Sequence, residues 1–288
     1  DPLNGDDSFA GSSGAPFRSI ARALQVAGAG WTITVKPTAP VLLTSPIVVT
    51  QQGAPGNYLI IRGDPSGARP VIDAQNLALY AFDVLAASYV CIRNFHIRRP
   101  LRNGVLVNTT TSGQACRYIY LVDVSGEEYG ENVAGTGTSA FINCRVDSGS
   151  PVEFVRMVRL AIGNPRYQAD GITGIYFKES SGGHSIISCD IGVPRGQGNT
   201  LWDAIGGEPN SRAPGNLGRN SEVAHVVGRN CKDDTFEIDG PNEFVRLLDC
   251  HARDSRISFS FVAMGIGPCW LLRSTGVDLR PVGSVGGE

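Results

Sequence analysis

Asn94-Phe95-His96, Asp123-Val124-Ser125, Asn143-Cys144-Arg145, Ser188-Cys189-Asp190, Asn230-Cys231-Lys232 and Asp249-Cys250-His251 are versions of one short phrase, a small polar residue closing an apolar run and often preceding cysteine. Arg273-Ser274-Thr275 reads as a further copy, and successive copies lie 29, 20, 45, 42, 19 and 24 residues apart. The shorter intervals fit one coil of a strand-turn solenoid. The longer ones fit a coil carrying a long loop, or two coils with one copy degraded.

A second set of segments trails these copies: Gly104-Val105-Leu106-Val107, Gly174-Ile175-Tyr176-Phe177, Asp203-Ala204-Ile205-Gly206, Asp234-Thr235-Phe236-Glu237 and Arg256-Ile257-Ser258-Phe259. Stacked in register, they form one sheet whose rungs repeat at about 4.8 Å. The fold this predicts is all-β, a right-handed parallel β-helix in a single unit over 1–288. Residues 1–30 form a cap region, 31–280 the coils and 281–288 a tail.

Outward from the repeat, the runs Ile47–Thr50, Tyr58–Arg62, Tyr89–Ile92, Tyr118–Val122, Glu153–Leu160 and Glu243–Leu248 read as further strands. One helix is legible near residues 16–28. Pro16 suits a first helical position, Phe17, Ile20, Ala23, Leu24 and Ala27 follow at helical spacing, and Gly28 and Gly30 end it. It is placed to cap the first coil. The C-terminal tail has no such helix, so the far end is expected to be covered by the tail or to self-associate with another chain.

Composition narrows the function. The net charge of −2 offers no electrostatic case for nucleic acid or an anionic membrane, and no 18-residue apolar run is present. Only Lys36, Lys178 and Lys232 are lysines. Seven cysteines with no CxxC pair read as small buried apolar residues, with Cys144, Cys189, Cys231 and Cys250 expected at one corner. No histidine spacing suggests zinc.

The strongest chemical signal is acidic. Asp233, Asp234, Glu237 and Asp239 fall within seven residues. Strand alternation puts Glu237 and Asp239 on one face with Asp233 in phase, and Asp234 opposite or in the turn beside Lys232. The second register stacks Asp203 on Asp234, and sets Glu179, Glu208 and Asp239 in one column. Such carboxylates repel one another unless a cation, a shared proton or a cationic substrate neutralises them. Calcium is the expected metal, with Asp233, Asp234, Glu237 and Asp239 as ligands. Trp202 is a candidate sugar platform beside Asp203, with Tyr176, Lys178 and Glu208 as substrate contacts and the long polar segment 206–220 lining a cleft.

Asp6-Asp7-Ser8-Phe9-Ala10-Gly11, Pro16-Phe17-Arg18-Ser19-Ile20, Gly30-Trp31-Thr32-Ile33-Thr34-Val35 and Pro70-Val71-Ile72-Asp73 together resemble the opening of secreted β-helix proteins of the pectate-lyase-like superfamily. Asp233-Asp234-Thr235-Phe236-Glu237-Ile238-Asp239-Gly240 resembles an acidic coil common there, with glutamate at position 237 where aspartate is expected. The resemblance implies a helix-capped solenoid and acidic calcium ligands paired with a lysine or arginine base. A base one coil onward lies near Arg253 or Arg256. The expectation is a secreted or extracellular polysaccharide lyase acting on an acidic polysaccharide, with Asp203, Asp234, Glu237, Lys232 and Arg256 as catalytic residues. Paired carboxylates suit a glycoside hydrolase equally, and a non-catalytic structural, adhesive or filament-forming β-helix is the alternative from another class.

Overall fold

A computed structural model describes residues 1–109, 113–130, 139–147, 149–167, 171–208, 216–262 and 267–277. Short strands pair in parallel with the coil before and the coil after, as in Asn143–Tyr176 and Val90–Ile119. Among the described residues they form an eight-stranded sheet and a curled sixteen-stranded sheet. The architecture is the right-handed parallel β-helix that the repeat predicts.

The core is a set of interior ladders. Ile47, Phe82, Val105, Ile142, Ile175, Ile205, Phe236 and Phe259 succeed one another in register along the eight-stranded sheet. Facing them, Ile61, Ile92, Leu121, Met157, Ile186, Val223 and Leu247 form the matching ladder. Most of these side chains are fully buried, and each contributes roughly 1.5–3 kcal/mol by leaving water. The ladder opens at its last rung, where Leu271 is 42% exposed. The tail expected to cover or extend this end, 278–288, lies outside the described residues.

The recurring polar residue has a conformational cause. Asn94, Asp123, Ser188 and Asp249 occupy one corner column with φ between 51° and 61°. Asn and Asp tolerate this left-handed region better than most residues. The same column holds Arg159 and Arg273, whose guanidinium groups pair with the carboxylates of Asp123 and Asp249 one coil away.

Three expectations are corrected. Asn143-Cys144 is not a corner: it lies inside the strand Ser139–Val146, and Asn230-Cys231 marks a different corner from Ser188-Cys189 and Asp249-Cys250. The four cysteines are buried but do not share one corner. A polar residue before cysteine marks any turn entering the core, so the phrase alone does not say which turn. The helix is also shorter than its periodicity suggests, Ile20–Val26. Ser19 competes successfully as N-cap, its Oγ accepting from the Arg22 N–H at 3.1 Å while Asp7 holds Ser19 itself. Ile20 and Leu24 bury the helix against the first coil. Among the described residues no helix is long and apolar enough to cross a membrane.

The register of the second set holds in part. Asp203 stacks on Asp234, following from Ile205 opposite Phe236, and Val105 shares a column with Ile175. Between these blocks the pairing is one residue away from the expected alignment, with Ile175 on Ile205 and Lys178 on Glu208. The strand Ile205–Glu208 begins only after a bend at Ala204, which shifts the phase. Lys178, rather than Glu179, therefore shares the column of Glu208.

Candidate functional site

The acidic residues converge at the entrance to two successive strands of the eight-stranded sheet. Asp203 precedes the strand Ile205–Glu208, and Asp233 and Asp234 open the strand Asp234–Glu237 one coil later. The backbone fastens the two entrances together: the Asp233 N–H donates to the Trp202 carbonyl at 3.1 Å, and the Asp234 N–H donates to Asp203 Oδ1, also at 3.1 Å. Carboxylate oxygens of Asp203, Asp233 and Asp234 all lie within 4.8 Å of one another.

Asp234 therefore joins the cluster rather than pointing to the opposite face. Strict alternation does not apply, because Asp233 is still in the corner when the strand begins at Asp234. Glu237 approaches from the next turn of the pleat. Its Oε2 accepts the Gly207 N–H at 2.9 Å, and Gly206 faces it. A Cβ on Gly206 would stand 2.7 Å from Glu237 Oε2 and 2.8 Å from Asp203 Oδ2, so the missing side chain is what lets these carboxylates face each other.

Burial and mutual repulsion set the protonation of the cluster. Asp203 is 4% exposed; burial, then the neighbouring Glu237 charge, pushes its carboxyl up to about 9. Asp234 is 7% exposed; burial, then Asp233 and Glu237, pushes it up to about 7. Asp234 Oδ1 is fully shielded and has no hydrogen-bond partner. A buried carboxylate oxygen left without a donor is costly, and a hard cation held by several oxygens would satisfy it. The residues thus fit a divalent ion such as calcium, with Asp203, Asp233 and Asp234 as the nearest set.

The remaining expected residues divide. Glu237 borders the cluster. Asp239 is buried but faces the following coil, its Oδ1 accepting from Ser260 Oγ at 2.9 Å and from the Val262 N–H at 2.7 Å. That separates it from the ligand set read from the sequence, although its charge still helps raise Asp234. Arg256 Nη1 lies 3.7 Å from Asp233 Oδ1. Lys232 Nζ sits 5.4 Å from the centre of the half-buried Trp202 ring, so a cation covers the expected sugar platform. Tyr176 is buried on the rung beside Gly206, and Lys178 pairs in register with the exposed Glu208. Of the segment expected to line a cleft, 209–215 lies outside the described residues.

Two features escaped the sequence reading. Asp73 is wholly buried and receives both Arg98 and Arg99; burial pushes its carboxyl up, but the guanidinium groups outweigh it and hold the carboxyl below its ordinary value. Tyr89, Tyr118 and Phe154 stack along one corner, with ring centres 4.7 and 4.9 Å apart. The 29-residue interval from Tyr89 to Tyr118, equal to that from Asn94 to Asp123, was the available signal.

Comparison with known proteins agrees on architecture. A family described as "Protein of unknown function (DUF1565)" matches residues 3–39. No curated protein matches the chain. Pectate lyase Pel9A is similar in structure at 13% identity and a TM-score of 0.53, over 98% of this chain and 77% of that one. A rhamnogalacturonan lyase is similar at 13% identity and 0.50, over 88% and 73%. ORF18 of Geobacillus virus E2 is similar at 11% identity and 0.50, over 86% of this chain and 52% of that one. The chain shares the parallel β-helix fold of these proteins, and identities this low speak for fold alone.

Proposed function

We propose that this protein is a carbohydrate-active enzyme working outside the cell, a calcium-assisted lyase on a uronic-acid polysaccharide. The observation carrying the reading is the shielded, partnerless Asp234 Oδ1 inside a group of three carboxylates. The lyases among the structural neighbours support the substrate class.

In this reading Asp203, Asp233 and Asp234 hold the cation, with Glu237 at its edge. A bound calcium supplies positive charge for the substrate carboxylate and for the enolate-like charge that develops when the adjacent carbon loses its proton. The chain's own residues supply the rest. Arg256, beside Asp233, and Lys232, over Trp202, are the basic side chains proposed for the proton transfer. One of them takes the proton alpha to the carboxylate. The C–H electrons form the new C=C bond, the glycosidic C–O bond breaks, and the leaving oxygen gains a proton.

The test is absorbance. Incubation with polygalacturonate or alginate in calcium should produce an unsaturated, ultraviolet-absorbing end. Asp234→Asn should abolish it, and Lys232→Gln and Arg256→Gln should identify the base. New reducing ends without absorbance would favour hydrolysis instead. That second reading has its own support: Asp203 and Glu237 face each other across Gly206, and a carboxyl raised to about 9 suits a general acid. Absence of both products in the presence of calcium would overturn the enzymatic reading.

A further inference from the structure

We propose that Arg62, Arg69 and Arg93 form a second binding site, a cradle for a tetrahedral oxyanion, either a sulfate ester on a polysaccharide or free phosphate. It is independent of the carboxylate cluster and of the reaction proposed there. Arg62 and Arg93 are register partners on adjacent coils, in the strands Leu59–Gly63 and Ser88–Arg98. One coil spacing of about 4.8 Å therefore separates their backbones. Both are half-buried on the outer face of the sixteen-stranded sheet. Arg69 is exposed in the loop after the first of these strands, and its Nη1 donates to Ser125 Oγ at 2.9 Å.

Like charges stacked in register are destabilising, and elsewhere on this sheet arginine meets glutamate instead. Arg117 lies 2.8 Å from Glu153, Arg219 2.6 Å from Glu243 and Arg246 3.3 Å from Glu222, each pair spanning adjacent coils. Other basic pairs in register are balanced: Arg229, beside Arg253, pairs with Asp190, and Arg145, beside Lys178, pairs with Asp147. Arg62 and Arg93 have no such balance. Among the described residues Arg62 donates only to the Thr34 hydroxyl, at 3.2 Å, and Arg93 makes no hydrogen bond or ion pair. The nearby acids are engaged. Asp123 takes both bonds of the Arg159 fork, with Arg69 and Arg93 adding their charge from further off. Asp64 accepts from the Ser66 N–H and hydroxyl, and Glu127 is turned to His96.

The unbalanced charge selects the ligand. A guanidinium is a planar fork of donors that matches the oxygens of sulfate and phosphate. Two forks one coil apart, with a third from Arg69 at the edge, offer more donors than one carboxylate can use and suit an anion with more oxygens. A neutral sugar would leave the repulsion between Arg62 and Arg93 in place, whereas an oxyanion held between them relieves it. The carboxylate cluster, which would repel such a group, belongs to later coils and to the other sheet.

Two measurements in chelator test the proposal: affinity electrophoresis in native gels that contain dextran sulfate or plain dextran, and thermal unfolding in rising inorganic phosphate. Despite its net charge of −2, the wild-type chain should be retarded by dextran sulfate and not by dextran, or should melt higher in phosphate with a saturable dependence. Retardation assigns the site to a sulfate ester; a phosphate shift without retardation assigns it to the free anion. Arg62→Gln and Arg93→Gln should weaken whichever response is seen at least roughly tenfold, the scale of losing a charged hydrogen-bond donor. Arg195→Gln, which removes an exposed charge elsewhere, and Asp234→Asn should respond as wild type. Without added anion, Arg93→Gln should melt no lower than wild type, because it removes a repulsion. The proposal is overturned if neither anion acts, if the Arg62 and Arg93 variants respond normally, or if Arg195→Gln or Asp234→Asn loses as much as they do. A clearly lower melting temperature for anion-free Arg93→Gln would also overturn it, since the stacked charges would then serve the fold.

Discussion

Asp203→Asn should make this protein more tolerant of alkali in the absence of divalent cations. The Asp203 carboxyl is raised from 3.8 in the open chain to about 9 in the fold. The folded state therefore favours the neutral acid, a contribution fully present below pH 3.8 and lost as pH rises toward 9. Each pH unit between those limits costs about 1.4 kcal/mol, so going from pH 7 to pH 8.5 should cost on the order of 2 kcal/mol. For a chain of this size roughly 2–4 °C accompanies each kcal/mol, which gives a fall of about 4–8 °C. Asparagine carries no charge and can still accept the Asp234 N–H through Oδ1. The assay is thermal unfolding of wild type and variant side by side in chelator. The difference between the two proteins reports Asp203 together with its effect on the neighbouring Asp234 and Cys231 groups. Parallel melting curves across pH 7–8.5 would refute the view that this carboxyl is buried among like charges.

Other outcomes follow from the same physics. His184 is buried, its Nε2 has no partner, and burial pushes it down to about 3; the neutral ring is stabilising at neutral pH and that stability is lost as pH falls from about 6.5 toward 3, so His184→Phe should show a shallower acid limb in unfolding curves. Cys269 is half-buried whereas the other six thiols are buried, so a thiol reagent should label Cys269 first in the native protein and all seven after denaturation. Phe236→Ala removes a rung between Ile205 and Phe259 and should cost about 3–5 kcal/mol in denaturant unfolding; a loss under about 1 kcal/mol would contradict the continuous interior ladder.

The solenoid was legible because each coil repeats the same need. Asn94, Asp123 and Asp249 stand where the backbone must turn through positive φ, and the apolar residues after them are the rungs of the core. Individual registers were less legible. Ile175 finds an apolar partner whether it faces Ala204 or Ile205, so a one-residue slip leaves the pattern almost unchanged. The stacking of Asp203 on Asp234 could be read because Asp203-Ala204-Ile205 and Asp234-Thr235-Phe236 each place an acid two residues before a large apolar rung. Which carboxylates converge could not, since the answer turns on where each strand begins. Asp239 shares the phase of Glu237 in sequence, yet donors from Ser260 and Val262 hold its Oδ1 toward the following coil. The aromatic corner was hidden for a different reason: Tyr89, Tyr118 and Phe154 look like strand residues, and only the fold reveals them as neighbours at positive φ.

Calorimetric titration of calcium into chelator-treated, dialysed protein tests the central claim most directly. A cluster that leaves Asp234 Oδ1 buried without a partner should take up one ion at a saturable site, release protons as Asp203 and Asp234 ionise, and lose that site in Asp234→Asn. A wild-type protein that shows no saturable heat, or whose site survives Asp234→Asn unchanged, would contradict it.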